Sequence, residues 1–164
     1  MSQSATDDLK AHVDIVEETY ESCLAYAAKG VNAEMARTMD SQVRVQLEKL
    51  DSALPDLGDA FLRLVEERSA LNEAGAASNR ERYSAFVEVL RRDAEAGRAA
   101  VRLVLAQAGI TSQMVDNLNG MIHLRALLTD VFLVDEMLRP DAEQPLHSSP
   151  QDADGPEAKE DRPE

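Results

Sequence analysis

The chain has 164 residues, of which 44% are hydrophobic and 4% aromatic, with no tryptophan, and its formal net charge is −14. This length suffices for one domain with a buried core, which the composition predicts to be aliphatic. The acidic charge repels nucleic-acid phosphates and anionic membrane surfaces, so we expect neither as a partner. The single cysteine, Cys23, excludes an internal disulfide.

Neither the start of the chain nor its most apolar stretch predicts a secretion or membrane segment. Residues 1–10 lack the basic and apolar regions of a signal peptide. Residues 112–138 are strongly apolar, but charged residues interrupt them. We therefore expect a cytoplasmic protein without a membrane span. The preference for Arg over Lys, with frequent Ala, is typical of a GC-rich bacterial source.

The first predicted helix runs from about Thr6 to Lys29, with Gly30 as its end. Its apolar residues recur at alternating steps of four and three. They are Leu9, Val13, Val16, Tyr20, Cys23 and Ala27. Such a heptad repeat is typical of coiled-coil-like packing against a neighbouring helix at a shallow angle.

A second helix is expected from Asn32, its N-cap, with an apolar stripe whose members lie mostly four residues apart. The stripe consists of Met35, Met39, Val43, Leu47, Leu50 and Leu54. Pro55 removes a helical hydrogen bond and clashes with the preceding turn, so we predict a break or sharp kink at 53–58. The segment from this break to about Asn72 is either a short third helix or the continuation of a kinked second one.

A fourth helix is expected over 78–108, after a loop at 73–77. Ser78 and Glu81 form a capping box, and Gly109 ends the helix. Its apolar residues keep the heptad spacing: Tyr83, Val87, Leu90, Ala94, Gly97, Val101, Val104 and Ala108. The small Ala94 and Gly97 predict a close approach by another backbone.

The fifth predicted helix, 112–138, is capped by Thr111 or Ser112 and is apolar over a wide arc. A helix of this kind must be covered on more than one side, so it is either central or completes its burial in a homodimer. Residues 139–164 are rich in Pro, Asp and Glu, which predicts a disordered acidic tail. The predicted fold is all-α: one domain, 1–138, forming an antiparallel bundle or extended coiled hairpins of four or five long helices.

The motifs of common catalytic and cofactor sites are absent from the sequence. His12, His123 and His147 do not stand in the Glu-x-x-His or His-Glu-x-x-His patterns of metal sites, and no glycine-rich phosphate loop occurs. We predict no catalytic, cofactor-binding or metal-binding residues. Cys23 is expected in the core. The arginines of the fourth helix are expected to pair with acidic residues of their own helix or of residues 1–76.

The best candidate for a polar site lies on the fifth predicted helix. Its members are Ser112, Asp116, Asn119, His123 and Asp130. On one helix they share a narrow face, and the simplest interpretation is a solvated surface. Ser112-x3-Asp116-x2-Asn119 resembles the acid-plus-Asn helix motif of a chemotaxis phosphatase family. That family has Glu in place of Asp and a mixed α/β fold, so we do not assign the chain to it.

We therefore expect a non-catalytic protein–protein interaction module, such as an adaptor, a regulator or a chaperone-like protein, with an unidentified protein partner. In its general properties the chain is similar to small acidic helical chaperones of secretion or flagellar export. One alternative hypothesis is an enzyme that uses Asp116, Asn119 and His123, with a bound metal, on a phosphorylated partner. Another is a purely structural, self-assembling helical oligomer.

Overall fold

The computed structural model describes residues 4–71 and 76–138, and the regular structure within these residues is entirely α-helical. The helices are α1 (Ala5–Ala27), α2 (Ala33–Met39), α3 (Ser41–Leu71), α4 (Ala76–Leu105), α5 (Ser112–Gly120) and α6 (Ile122–Leu138). The predicted all-α class is confirmed. The described part has six helices instead of the expected four or five long ones, because two predicted helices are interrupted. The predicted acidic tail lies outside the described residues.

The caps of α1 and α2 result from short-range chemistry. The Ser4 hydroxyl accepts a hydrogen bond from the backbone of the first turn of α1. Gly30 has a φ of 66°, a left-handed conformation that residues with a Cβ adopt at a cost, and it lies just beyond the end of α1 as predicted. Asn32 caps α2, since its Oδ1 accepts from the Met35 N–H at 3.0 Å.

Pro55 does not end a helix, so a break at 53–58, one of the two predicted possibilities beside a sharp kink, is wrong. Helix α3 continues through it from Ser41 to Leu71. The proline itself is exposed, whereas Leu54 and Leu57 on either side are almost fully buried. A proline inside a helix costs about 3 kcal/mol. The packing of α3 against its neighbours offsets this cost, so the alternative of one continuing helix is the one observed.

The interruption lies instead at Asp40, between α2 and α3. Asp40 Oδ2 accepts hydrogen bonds from the Ile110 backbone N–H at 3.0 Å and from Arg44 Nη2 at 2.8 Å. Arg44 also donates to the carbonyl oxygens of Leu105 and Gln107, at 2.8 and 3.0 Å. These bonds hold the segment between α4 and α5 against the junction between α2 and α3.

Asp40 is only 8% exposed, and its charge is stabilised locally. Burial raises its pKa, but the hydrogen bond from Ile110 and the guanidinium of Arg44 outweigh burial and hold the pKa below its ordinary value. The backbone of the segment between α4 and α5 also lies close to α2. A Cβ on Gly109 would lie 3.1 Å from the Cβ of Ala36 in α2, so glycine permits the approach.

Helix α3 packs along both α1 and α4, and the polar contacts show that each pair is antiparallel. Near one end of the α1–α3 pair Arg63 pairs with Asp8, and nearer the other end Thr19 Oγ1 donates to the Gln46 carbonyl. Between α3 and α4, Asp51 pairs with Arg98 and Arg102, and Asp59 pairs with Arg91. Helix α6 then contacts both α4 and α1.

Most residues of the two predicted heptad repeats are buried. Those with less than 5% exposure are Leu9, Val13, Val16, Cys23, Val87, Leu90, Ala94 and Val101. Met35 and Met39 were expected in the second stripe but are exposed, because α2 buries Ala36 instead. Helix α4 begins at Ala76, so Ser78 lies within the helix rather than at its cap, and the helix ends at Leu105, before the predicted residue 108.

The predicted helix 112–138 is also interrupted. Met121 has an extended ψ of 134°, directly after Gly120, and it separates α5 from α6. Thr111 caps α5, because its Oγ1 accepts from the Met114 N–H at 3.2 Å. The two shorter helices bury separate sets of apolar residues, so the long apolar stretch does not form a single central helix.

Replacing Pro55 with alanine is predicted to raise the free energy of unfolding by about 1–3 kcal/mol. Alanine restores the missing N–H and removes the ring from the helix, and the exposed site requires no repacking. Urea denaturation measures the change. Pro55→Gly is the matched control, expected about 1 kcal/mol below Pro55→Ala. A Pro55→Ala chain less stable than the original would contradict the prediction.

Asp40→Asn is predicted to lower the free energy of unfolding by about 2 kcal/mol near neutral pH, the range for hydrogen bonds to charged groups. Since folding lowers the pKa of Asp40, its contribution is complete above the ordinary aspartate pKa and is lost as the pH falls through the lowered one. The difference between the chains should therefore shrink in acid. Asp116→Asn, at an exposed carboxylate, is the control. A constant difference at all pH values would exclude this charge-based account.

Candidate interaction surface

The predicted polar stripe does not form one face, because the break at Met121 places its members on two helices. Ser112 and Asn119 of α5 are buried, whereas Asp116 is exposed. His123 belongs to α6 and is exposed. The interpretation of the stripe as a uniformly solvated helix face is therefore wrong for two of these residues.

Ser112 links the start of α5 to the end of α1. Its Oγ donates to the Tyr26 carbonyl at 2.7 Å and accepts from the Val31 N–H at 2.8 Å. The Ser112 N–H donates to the Val31 carbonyl at 2.9 Å. Nearby, the Tyr26 hydroxyl donates to the Ile110 carbonyl at 2.7 Å. The hydroxyl of Ser112 is thus engaged with backbone groups on both sides of Gly30, which is a structural role.

The three residues of the enzyme hypothesis lie in three different surroundings. Asp116 lines an open cleft at the start of α5, together with Thr111. Asn119 faces a small, partly enclosed cavity of about 20 Å³ that Cys23 also lines. His123 lies beside Asp93 of α4, with 3.8 Å between its Nδ1 and an aspartate oxygen. The structure does not bring the three side chains to a common point.

A carboxylate pair between α4 and α6 was not predicted. Asp130 of the stripe is partly buried, and its Oδ2 has no hydrogen-bond partner among the described residues. Burial and then the negative charge of Asp93 raise the pKa of Asp130. Nothing local in the sequence indicates this pair, because residues 93 and 130 meet only when α4 and α6 pack.

Cys23 is a core residue, as predicted. It is 2% exposed, and burial raises the pKa of its thiol to about 11. At neutral pH the side chain is therefore a thiol rather than the reactive thiolate. Within the described residues, His, Cys, Asp and Glu form no group of three or more arranged to hold a metal ion.

The arginines of α4 contact acidic residues of α3, which confirms one of the predicted pairings. Asp51 accepts from Arg102 Nε at 2.7 Å and from Arg98 Nε at 2.9 Å. The hydrogen bond from Arg102 is the largest influence on the pKa of Asp51, and with Arg98 it outweighs burial and lowers that pKa. This face of α4 is thereby directed at α3 and joins the two helices.

The opposite side of α4 forms an open apolar groove with α5. The groove has a volume of about 620 Å³, and within residues 4–71 and 76–138 no charged side chain lines it. Its lining residues are Ala96, Ala99, Ala100, Leu103, Val104, Gln107, Met114, Asn117, Leu118 and Met121. The alanines form a shallow floor along α4, while the methionines come from α5 and from the residue directly after it. We call this surface the α4–α5 groove.

Large apolar side chains are exposed in the α4–α5 groove and next to its lining residues in the chain. Leu103 is 68% exposed, and Ile122, directly after Met121, is 75% exposed. The outer side of α6 adds Phe132 and Leu133, each more than half exposed. Scattered exposed apolar residues are normal on proteins, whereas apolar side chains gathered in one groove are a reason to treat it as a candidate interaction surface.

Charge is distributed unequally around this surface. Residues 1–76, which include α1 to α3, carry 7 basic and 15 acidic side chains. Residues 77–138, which include nearly all of α4 and all of α5 and α6, carry 7 basic and 8 acidic side chains. The groove therefore lies in the part of the domain that is close to neutral. The sequence signal for it was Leu103, a large apolar residue outside the heptad repeat of α4.

No described helix is both long enough and apolar enough to cross a lipid bilayer. Comparison with protein-family models, with curated proteins and with solved structures finds no match to this chain.

Asp130→Asn is predicted to raise the free energy of unfolding by about 0.5 kcal/mol near neutral pH, the size of partly screened surface charge effects. Because folding raises the pKa of Asp130, its charged form destabilises the fold, and this penalty is relieved as the pH falls through the raised pKa. The gain in the free energy of unfolding should therefore disappear in acid. Thermal melts at a series of pH values measure it. A loss of stability at pH 7 would show instead that the carboxylate is needed.

Proposed function

We propose that this chain is a non-catalytic protein–protein interaction module, built as an antiparallel helical bundle, that binds other polypeptides through the α4–α5 groove. The observation that carries the proposal is the groove itself, which is apolar, uncharged and open along two helices. A helical segment with apolar residues at i, i+3, i+4 and i+7 is the type of ligand that binds such a groove.

The chemistry of the lining supports binding rather than catalysis. Gln107 and Asn117 are its polar side chains, and neither is a strong acid, base or nucleophile at neutral pH. Met114 and Met121 are flexible and polarisable, so they adapt to apolar ligands of different shape. A cytoplasmic location and a role as adaptor, regulator or chaperone-like protein remain parts of this proposal.

Self-association and binding of another protein are both compatible with this proposed role, including the homodimer expected from the sequence. The outer side of α6, with Phe132 and Leu133, offers a second apolar area next to the same half of the domain. The enzyme hypothesis gains no support from geometry, since Asp116, Asn119 and His123 do not converge.

Site-specific photo-crosslinking tests the proposal. A benzophenone side chain in place of Leu103, which lines the groove, should form a reproducible adduct with a polypeptide, either another copy of the chain or a different protein. The same group in place of Glu48, an exposed residue of α3, is the control and should form none.

Ala99→Glu, added to the chain that carries benzophenone at position 103, should abolish the adduct, because it places a charge on the apolar lining. Circular dichroism checks that this exposed substitution leaves the helices intact. Equal crosslinking at both positions, or none at Leu103, would contradict the proposed interaction surface.

A further inference from the structure

The α4–α5 groove contains both a recess and a projection on the same side of one helix. Ala96, Ala99 and Ala100 form the recess, and Leu103 projects beside them, 68% exposed. Residues 96 and 103 are seven positions apart, which is two turns or about 10 Å along a helix. A surface of this kind can be complementary to a copy of itself.

We propose that the occupant of the groove is a second copy of this chain, with the two α4 helices packed antiparallel around a two-fold axis between Ala99 and Ala100. This inference rests on the proposed function and names the partner at the same site. In this arrangement Leu103 of each copy lies in the recess over Ala96 of the other. Contacts of this type, in which the same patch is used twice, are the rule for homodimers.

The ends of the paired segments are also compatible. The same symmetry places the exposed Arg92 of one copy near Gln107 of the other, so no pair of like charges meets there. The small side chains at the centre allow the two helix axes to approach to about 8 Å. Met114 and Met121 line the flank of the recess, where flexible side chains fill the remaining space.

Charge favours a second copy over a basic protein at this groove. A basic partner is attracted most strongly by the helices that carry the acidic excess, α1 to α3, since residues 1–76 have a net charge of −8. Two copies of a chain with net charge −14 repel each other, and this repulsion is weakest where each presents its near-neutral half. Among the described residues, none that lines the groove is charged, and the groove lies in that half.

Light scattering on a sizing column tests the inference with the full chain, from about 1 μM to about 100 μM, a range that resolves micromolar dissociation constants. The expected mass is twice the 18.0 kDa of one chain. Leu103→Glu should weaken the dimer at least about tenfold, because it places a charge in the apolar recess of the other copy. Circular dichroism verifies folding, and Leu103 is exposed enough for the change to leave the monomer intact.

A paired substitution tests the proposed register. Ala96→Lys together with Leu103→Glu in one chain should restore the dimer, since each Glu then faces a Lys of the other copy. Ala85→Lys with Leu103→Glu is the matched control, because residue 85 is exposed on α4 but lies outside the proposed contact, and it should remain monomeric. If both double substitutions restored the dimer equally, the proposed pairing of residue 96 with residue 103 would be wrong.

A monomer at all concentrations, or a dimer that Leu103→Glu leaves unchanged, would overturn the second-copy inference. If the chain is monomeric but Leu103 crosslinks to a different polypeptide, the inference fails and the proposed function stands. If the chain is monomeric and Leu103 crosslinks to nothing, both fail.

Discussion

The buried carboxylate of Asp40 is the interaction on which the position of α5 depends. It accepts hydrogen bonds from the Ile110 backbone and from Arg44, which reaches on to the carbonyl oxygens at the end of α4. A buried charge is stable only when it is paired and hydrogen-bonded, and Asp40 meets both conditions. Through this residue the segment between α4 and α5 is fixed to the junction between α2 and α3.

The consequence extends from that segment to the surface of the domain. Ser112, two residues beyond Ile110, bonds to both Tyr26 and Val31, so the start of α5 is tied to the end of α1. With its start fixed, α5 lies beside the last turns of α4 and supplies Met114 and Leu118 to the groove. The hydrogen bonds of Asp40, Arg44 and Ser112 therefore position α5 and with it the apolar groove, although these three residues do not line the groove.

Local sequence patterns predicted the parts of this fold that depend on local chemistry. The heptad repeat of α1 identified its buried side, and Gly30 and Asn32 marked helix ends, because these features are encoded within a few residues. The interruption at Asp40 was missed because its partner, Ile110, is 70 residues away. Pro55 was overweighted for the converse reason, since the packing that sustains α3 through it comes from other helices.

The candidate surface was harder to predict than the fold. A single helix over 112–138 would place Ser112, Asn119 and His123 on a common face, but the extended conformation of Met121 separates them. Gly120 was a local signal for that break, but a glycine interrupts a helix only where tertiary packing favours a turn, and the sequence does not show that packing. The groove itself combines residues 96–107 with residues 114–121, which belong to separate helices or follow them directly, so no single periodicity describes it.

The hydrogen bonds between Tyr26 and Ile110 and between Ser112 and Tyr26 join residues more than 80 positions apart. The antiparallel pairs α1–α3 and α3–α4 close much shorter loops, and contacts of low sequence separation form earlier during folding. We therefore expect the α1–α3 and α3–α4 pairs to form first, and the hydrogen bonds between the end of α1 and the start of α5 to form last. Because α5 supplies one wall of the α4–α5 groove, the groove is complete only at the end of folding, so a ligand that contacts both walls can bind only the fully folded chain.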